Sequence, residues 1–146
     1  ISIKNNPGIT AFNFSVDYPT EELTLTGVEY KTLFSTKANG SKTMTSPFII
    51  SWFSTASEDE TANGVIATLT FKVKEDVEAG SYPISLTYDE NNVFDSTFTN
   101  IAFAVDNGDV VVTDYVPGDV NGDTVINMKD IVLLQQYLND WDVELK

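Results

Sequence analysis

The sequence predicts a mainly β protein: a β-sandwich over residues 1–113, followed by a small C-terminal loop and one helix. Three observations carry this. Short stretches of alternating apolar and polar residues recur up to about residue 113. Turn-forming pairs containing glycine separate them. A helical period appears in one place only, from Asp130 onward.

Taken in order, Ile1-Ser2-Ile3-Lys4 already alternates like the middle of a strand, with no initiator methionine or signal peptide before it. The chain therefore reads as a processed or excised piece of something longer. Residues 11–18 alternate and stop at Pro19, and residues 23–30 alternate again. Residues 48–53 are apolar on both faces, which suits a central strand and assigns Trp52 and Phe53 to the core. Residues 65–73 form the clearest strand, and 82–88, 101–105 and 109–113 follow. Pro7-Gly8, Asn39-Gly40, Asn63-Gly64, Ala79-Gly80 and Asn107-Gly108 are the punctuators. The last of these suits a two-residue hairpin turn.

Composition shifts at Tyr115-Val116-Pro117-Gly118, so residues 114–118 read as a linker and 119–146 as a second module. A helix over about 128–139 puts Ile131, Leu134 and Leu138 on one face, continued by Trp141 and widened by Val132, Leu133 and Tyr137. One short helix cannot bury that face by itself. It needs the sandwich, another copy of the chain, or a partner helix.

Composition also excludes. Of 146 residues, 42% are hydrophobic, enough for a core, and net charge is −14. All eight basic residues are lysine. Nucleic acid and anionic membrane surfaces, which need a basic face, are not expected partners. No apolar run approaches the roughly 20 residues of a membrane span, so no insertion is expected. Without cysteine or histidine there is no thiol nucleophile, no Ser-His-Asp triad and no imidazole or thiolate metal site. Oxygen ligands remain, and they favour calcium or magnesium.

Such ligands are spaced regularly in one place. From Asp119 to Asp130, side-chain oxygens stand at the first, third, fifth, ninth and twelfth places: Asp119, Asn121, Asp123, Asn127 and Asp130. That is the spacing of an EF-hand loop. Alternate residues of a tight loop point at one centre, the Val125 carbonyl supplies the seventh place, and Asp130 closes the sphere from the first helical turn. Ile126, at the eighth place, is the expected apolar anchor to a core. Two departures stand out. Thr124 occupies the glycine place, so strain is expected there. Asp130 replaces the usual glutamate and reaches less far. The alternative is a turn rich in Asp and Asn that caps a helix.

One helix follows the loop and none precedes it. The stretch from Pro117-Gly118-Asp119 through Leu133-Leu134-Gln135-Gln136-Tyr137-Leu138 to Trp141-Asp142-Val143 resembles the first repeat of a type I dockerin. Dockerins are the calcium-dependent plugs of cellulosomes and normally carry two repeats, whereas this chain ends at Lys146 with one. The resemblance implies bound Ca²⁺ and partner contacts at Met128, Lys129, Gln135 and Gln136.

The β region is similar to a cohesin, the socket that receives dockerins. The matching stretches are Gly8 to Tyr18 with Leu23 to Val28, then Asn63 to Val73, Ala79 to Leu86, and Asn107-Gly108-Asp109-Val110-Val111-Val112. It implies a nine-stranded jelly-roll with its first strand cut short, and a protein partner, cohesin or dockerin. The implied function is non-catalytic assembly in a secreted, cell-surface polysaccharide-degrading complex. The exposed helix face adds self-association as a further expectation.

A carbohydrate-binding module carrying a dockerin tag is the alternative, with a polysaccharide as partner. Tyr18, Tyr30, Tyr82 and Tyr88 are its candidate stacking residues, although their spacing shows no flat row. Glu58-Asp59-Glu60 and Asp89-Glu90 could pair as catalytic carboxylates, but read better as solvated loops. No enzyme is expected.

Overall fold

A computed structural model of the chain describes residues 1–113 and 116–145. Asp114 and Tyr115, in the expected linker, lie outside the described residues, as does Lys146. The chain divides into two compact units, residues 1–77 with 81–110 and residues 78–80 with 111–146.

Nine strands occur among the described residues: β1 (Ser2–Ile3), β2 (Ala11–Asp17), β3 (Leu23–Tyr30), β4 (Asn39–Gly40), β5 (Phe48–Phe53), β6 (Gly64–Val65), β7 (Ala67–Val73), β8 (Gly80–Tyr88) and β9 (Gly108–Val112). A five-stranded sheet runs in the order β4-β5-β2-β8-β9. Two smaller ladders, β1-β6 and β3-β7, supply the second layer. β2 lies at the centre of the large sheet, antiparallel to β5 on one side and β8 on the other.

Strict alternation on β2 builds the core. Phe12, Phe14 and Val16 point inward and are buried, while Asn13, Ser15 and Asp17 take the other face. Register extends the pattern sideways. Phe12 faces Trp52, Phe14 faces Ile50 and Tyr88, and Val16 faces Phe48 and Leu86. From the other layer come Ile3, Leu23, Leu25 and Ala67. Phe12 and Phe14 stack at 4.4 Å, and the Phe12 and Trp52 rings lie 5.9 Å apart. Each large apolar side chain buried here contributes about 1.5–3 kcal/mol. The Trp52 indole N–H donates to Thr36 Oγ1 at 2.9 Å, so the core carries a satisfied polar atom.

Several expectations need correction. Residues 65–73 are not one strand. The chain bends at Ile66, whose N–H donates to the Ile1 carbonyl at 3.0 Å and whose carbonyl accepts from Lys31 at 2.9 Å. Pairing therefore switches there from β1 to β3. Residues 101–105 join no ladder. Backbone N–H and carbonyl of Phe103 both bond to the Tyr88 hydroxyl, and Ile101 N–H bonds to the Val93 carbonyl. A side chain has taken the place of a neighbouring strand. Asn107-Gly108 is consequently no hairpin turn; Asn107 Oδ1 accepts the Leu86 N–H at 2.9 Å. Asn39-Gly40, expected as a turn, is the short edge strand β4. Phe53, expected in the core, faces out and is 68% exposed.

In the second unit, α1 (Met128–Leu138) follows the loop and ends one residue before the expected boundary, at the cap residue Asn139. Ile131, Leu134, Leu138 and Trp141 are exposed.

Gly40 offers a check on the edge of the sheet. A Cβ there would lie 2.6 Å from Phe48 Cζ and collide with the Tyr30 hydroxyl, and Phe48 is fully buried. Gly40→Ala is expected to destabilise the sandwich by about 1–3 kcal/mol, measured by urea denaturation.

Candidate metal centre and docking surfaces

The loop from Asp119 to Asp130 is organised by its first and last residues. Both carboxylates are buried, at 5% and 3% exposure. Asp119 Oδ1 accepts the N–H groups of Gly122 and Asp123 at 2.8 and 3.1 Å, and its Oδ2 accepts Thr124 N–H at 2.7 Å. Asp130 Oδ1 accepts Val120 and Asn121 N–H at 3.1 and 3.4 Å, and its Oδ2 accepts Asn127 N–H at 2.7 Å. The Asn127 N–H bond is the main reason the Asp130 carboxyl is held below the usual carboxylate range; burial opposes it, and the Asn121, Val120 and Asp130 N–H groups add to it.

Tight curvature needs left-handed backbone. Gly122 has φ 74° and Thr124 has φ 66°. Threonine in that region costs on the order of 1–2 kcal/mol, so the strain expected at this place is present. The Thr124 bond to Asp119, together with its hydroxyl bond to the Asp123 carbonyl at 2.6 Å, offsets it.

Between these two hubs the other oxygens are also engaged. Asn121 Oδ1 accepts Asp123 N–H at 2.8 Å, and Asp123 Oδ1 accepts Val125 N–H at 3.0 Å. Asn127 is the helix N-cap. Its Oδ1 accepts Lys129 N–H at 2.8 Å, completing a capping box with Asp130, while its Nδ2 donates to the Val125 carbonyl at 2.9 Å. The turn-and-cap reading of these residues is thus realised in full, with the very atoms a cation would use. An ionised carboxylate offers about four lone-pair sites, and Asp119 and Asp130 each give two on Oδ1 and one on Oδ2 to N–H groups, so each Oδ2 keeps a site and the two roles are compatible. The donor set is all oxygen, as a hard cation requires. Among the described residues no three acidic side chains converge as a metal cluster, so amide and carbonyl oxygens are needed to complete a coordination shell. Ile126 is 61% exposed and lies against Gly118 rather than in a core.

On α1, Met128, Lys129, Val132, Leu133 and Gln136 line a shallow groove of about 390 Å³ with Asn121. Three of the four expected docking residues therefore share one surface. Gln135 stands apart from that lining, with its carbonyl accepting the Asn139 N–H and side-chain amide at 3.1 and 2.6 Å.

The sandwich has an outward sheet face whose residues the sequence alone does not locate. Opposite the core, the large sheet presents Asn13 beside Ser51, Ser15 between Ile49 and Thr87, and Asp17 beside Ser85. Phe53 projects at one end, next to a cleft of about 490 Å³ lined by Ser35, Thr36, Lys37, Asn39 and Ser54. Alternation alone could have found Phe53. If Phe48, Ile50 and Trp52 point inward, Phe53 must point outward.

Two of the four candidate stacking tyrosines, Tyr18 and Tyr88, are otherwise occupied. The Tyr18 hydroxyl donates to the Met44 carbonyl at 2.8 Å and that of Tyr88 to the Phe103 carbonyl. Nor are all the acidic loops simply solvated. Asp59 Oδ1 binds the Thr10 hydroxyl and Ser96 N–H at 3.0 and 2.6 Å, Glu60 holds Ser35 N–H at 2.8 Å, and Asp89 caps a 3-10 turn.

Family comparison agrees with this geometry. The family model "Cohesin domain" matches residues 1–116. The chain belongs to the cohesin family. The model "Dockerin type I domain" matches residues 117–145. No curated protein matches the chain.

Solved cohesins share the fold at low identity. The OlpA cohesin in a type I cohesin–dockerin complex from Clostridium thermocellum has a TM-score of 0.63 at 17% identity, over 77% of this chain and 84% of that one. The seventh ScaB type I cohesin of Pseudobacteroides cellulosolvens has a TM-score of 0.60 at 21% identity, over 76% of each chain. A cohesin of Clostridium acetobutylicum has a TM-score of 0.60 at 21% identity, over 75% and 76%.

Cohesin and type I dockerin domains are non-catalytic structural modules, and their pairing in one chain makes this an assembly module of the cellulosome type. A carbohydrate-binding module with a dockerin tag is not favoured. The type I dockerin is a calcium-binding module, and both domains belong to extracellular complexes. Among the described residues no helix is long and apolar enough to cross a membrane.

Two measurements check the loop. Asn127→Ala removes the N-cap and is expected to destabilise the helix by about 1 kcal/mol, read from helical circular dichroism in denaturant. Asp130 has a lowered folded pKa, so its contribution is complete above about pH 4 and is lost as pH falls through the lower folded value. Helical signal should hold down to pH 4 and fall below it.

Proposed function

We propose that this cohesin is a two-ended connector. Its sandwich receives a partner's dockerin on the outward face of the large sheet, and its loop–helix, held by calcium, docks into the cohesin of another protein. Support for the first end is the surface itself. Short polar side chains (Asn13, Ser15, Ser51, Thr87) flank a half-buried Ile49, with the exposed Phe53 at one end, each fixed in position by the ladder beneath it. A ladder-backed, uncharged centre with an exposed aromatic side chain at its edge suits a protein interface.

At the second end, Asp119, Asn121, Asp123, the Val125 carbonyl, Asn127 and Asp130 would hold the ion. Bound there, calcium supplies a fixed charge that locks the loop to the first turn of α1. The chain's own part is to set the orientation of Met128, Lys129 and Gln136 along the groove. Gln135, exposed but outside that lining, would contact a partner only at the margin. The ion is a clamp and not a sensor, since the loop's hydrogen bonds already define its curve. The protein works outside the cell and turns over no glycan.

Calorimetry against a set of dockerins, cohesins and oligosaccharides, with and without calcium, separates the ends. Phe53→Ala is expected to weaken dockerin binding about tenfold or more while leaving the calcium loop intact. Asp119→Ala should abolish calcium-dependent helical ordering and cohesin binding while sparing the sandwich face. Binding to oligosaccharides alone, with none to any dockerin or cohesin, would sink the proposal.

A further inference from the structure

Lys129 stands at the eleventh loop place, and between residues 111 and 145 it is the only basic residue. Its ammonium lies 3.4 Å from Asp123 Oδ2. The Asn121 side-chain amide donates to the same oxygen at 3.3 Å, and Asp123 Oδ1 accepts Val125 N–H at 3.0 Å. Asp123 thus has every donor it needs from the chain itself, including one full positive charge. Lys129 also lines the groove with Met128 and Gln136.

Given the calcium reading of this loop, we propose that Lys129 competes with calcium for Asp123, so that metal binding and the freedom of Lys129 to reach a partner are linked. An ammonium and a dication drawn to one carboxylate repel each other. Lys129 therefore lowers the affinity of the loop for calcium. Calcium in turn neutralises the carboxylate that tethers Lys129 and releases its ammonium at the groove. The coupling is reciprocal, so a partner carboxylate that takes Lys129 raises calcium affinity by the same factor. Its size is modest, because the side chains are 75% and 36% exposed and salt screens such pairs. A docking partner that presents an acidic side chain to this groove is thereby favoured, and favoured most when calcium is bound.

The test is calorimetric titration of calcium into the whole chain and into its K129Q and K129R variants, at low salt and at about 0.5 M salt. K129Q should bind calcium about two- to five-fold tighter than the unsubstituted chain at low salt, K129R should not, and added salt should remove the difference. K129Q binding no tighter than the unsubstituted chain would overturn the link while leaving the calcium clamp standing. A chain that binds no calcium at all would overturn the clamp and the link together. A second readout needs no substitution. The rate at which acetic anhydride modifies Lys129, followed by mass spectrometry, should rise about twofold or more when calcium replaces chelator. An unchanged rate would overturn the release of Lys129.

Discussion

β2 is hydrogen-bonded on both edges, to β5 and to β8, and its side chains must alternate between two faces. Phe12, Phe14 and Val16 fill the core from one face, and this leaves Asn13, Ser15 and Asp17 on the other. The same rule passes through the register to β5 and β8. Core and outward surface are consequently two sides of one constraint. A one-residue slip of β2 would put asparagine and serine into the core and phenylalanine onto the surface, so the packing energy that holds the fold also fixes the surface.

The C-terminal loop obeys a different constraint. It has almost no apolar interior, since Ile126 and most of the apolar side chains of α1 are exposed. Its order comes from buried carboxylates that collect backbone N–H groups. Asp119 and Asp130 each accept three, and each N–H so used is one that a tight turn or a helix start would otherwise leave unsatisfied. Such a web concentrates negative charge in a small volume. It is therefore self-limiting without a counter-charge, and Lys129 supplies a cation at the rim.

Much of this was legible in the sequence where one local rule acts alone. Alternation locates β2 and β3, and an apolar run locates β5, nearly to the residue, because these strands are paired along most of their length. It failed where pairing changes midway. At Ile66 the chain turns from one partner strand to another, which no local pattern encodes. It failed again at residues 101–105, where the Tyr88 hydroxyl substitutes for a strand at long range. In the loop, oxygen spacing identified the residues that come together, because contacts between places one to twelve are short-range. What spacing could not give was the allocation of hydrogen bonds: that Asn127 faces the helix it caps and the Val125 carbonyl, or that Lys129 reaches back to Asp123. Trp52 and Phe53 were both assigned to the core because the apolar run outweighed the alternation running through it; only Trp52 is there.

Thr124 has a consequence of its own. Glycine at that place would relieve the left-handed backbone, yet it would also give the unfolded chain more conformations to lose on folding. It would delete the hydroxyl that ties Thr124 to the Asp123 carbonyl as well. Threonine thus exchanges local comfort for a narrower ensemble. A loop already confined before its ligand arrives gives up less disorder on binding, so this one residue moves part of the entropic burden of docking from the moment of assembly to the moment of folding.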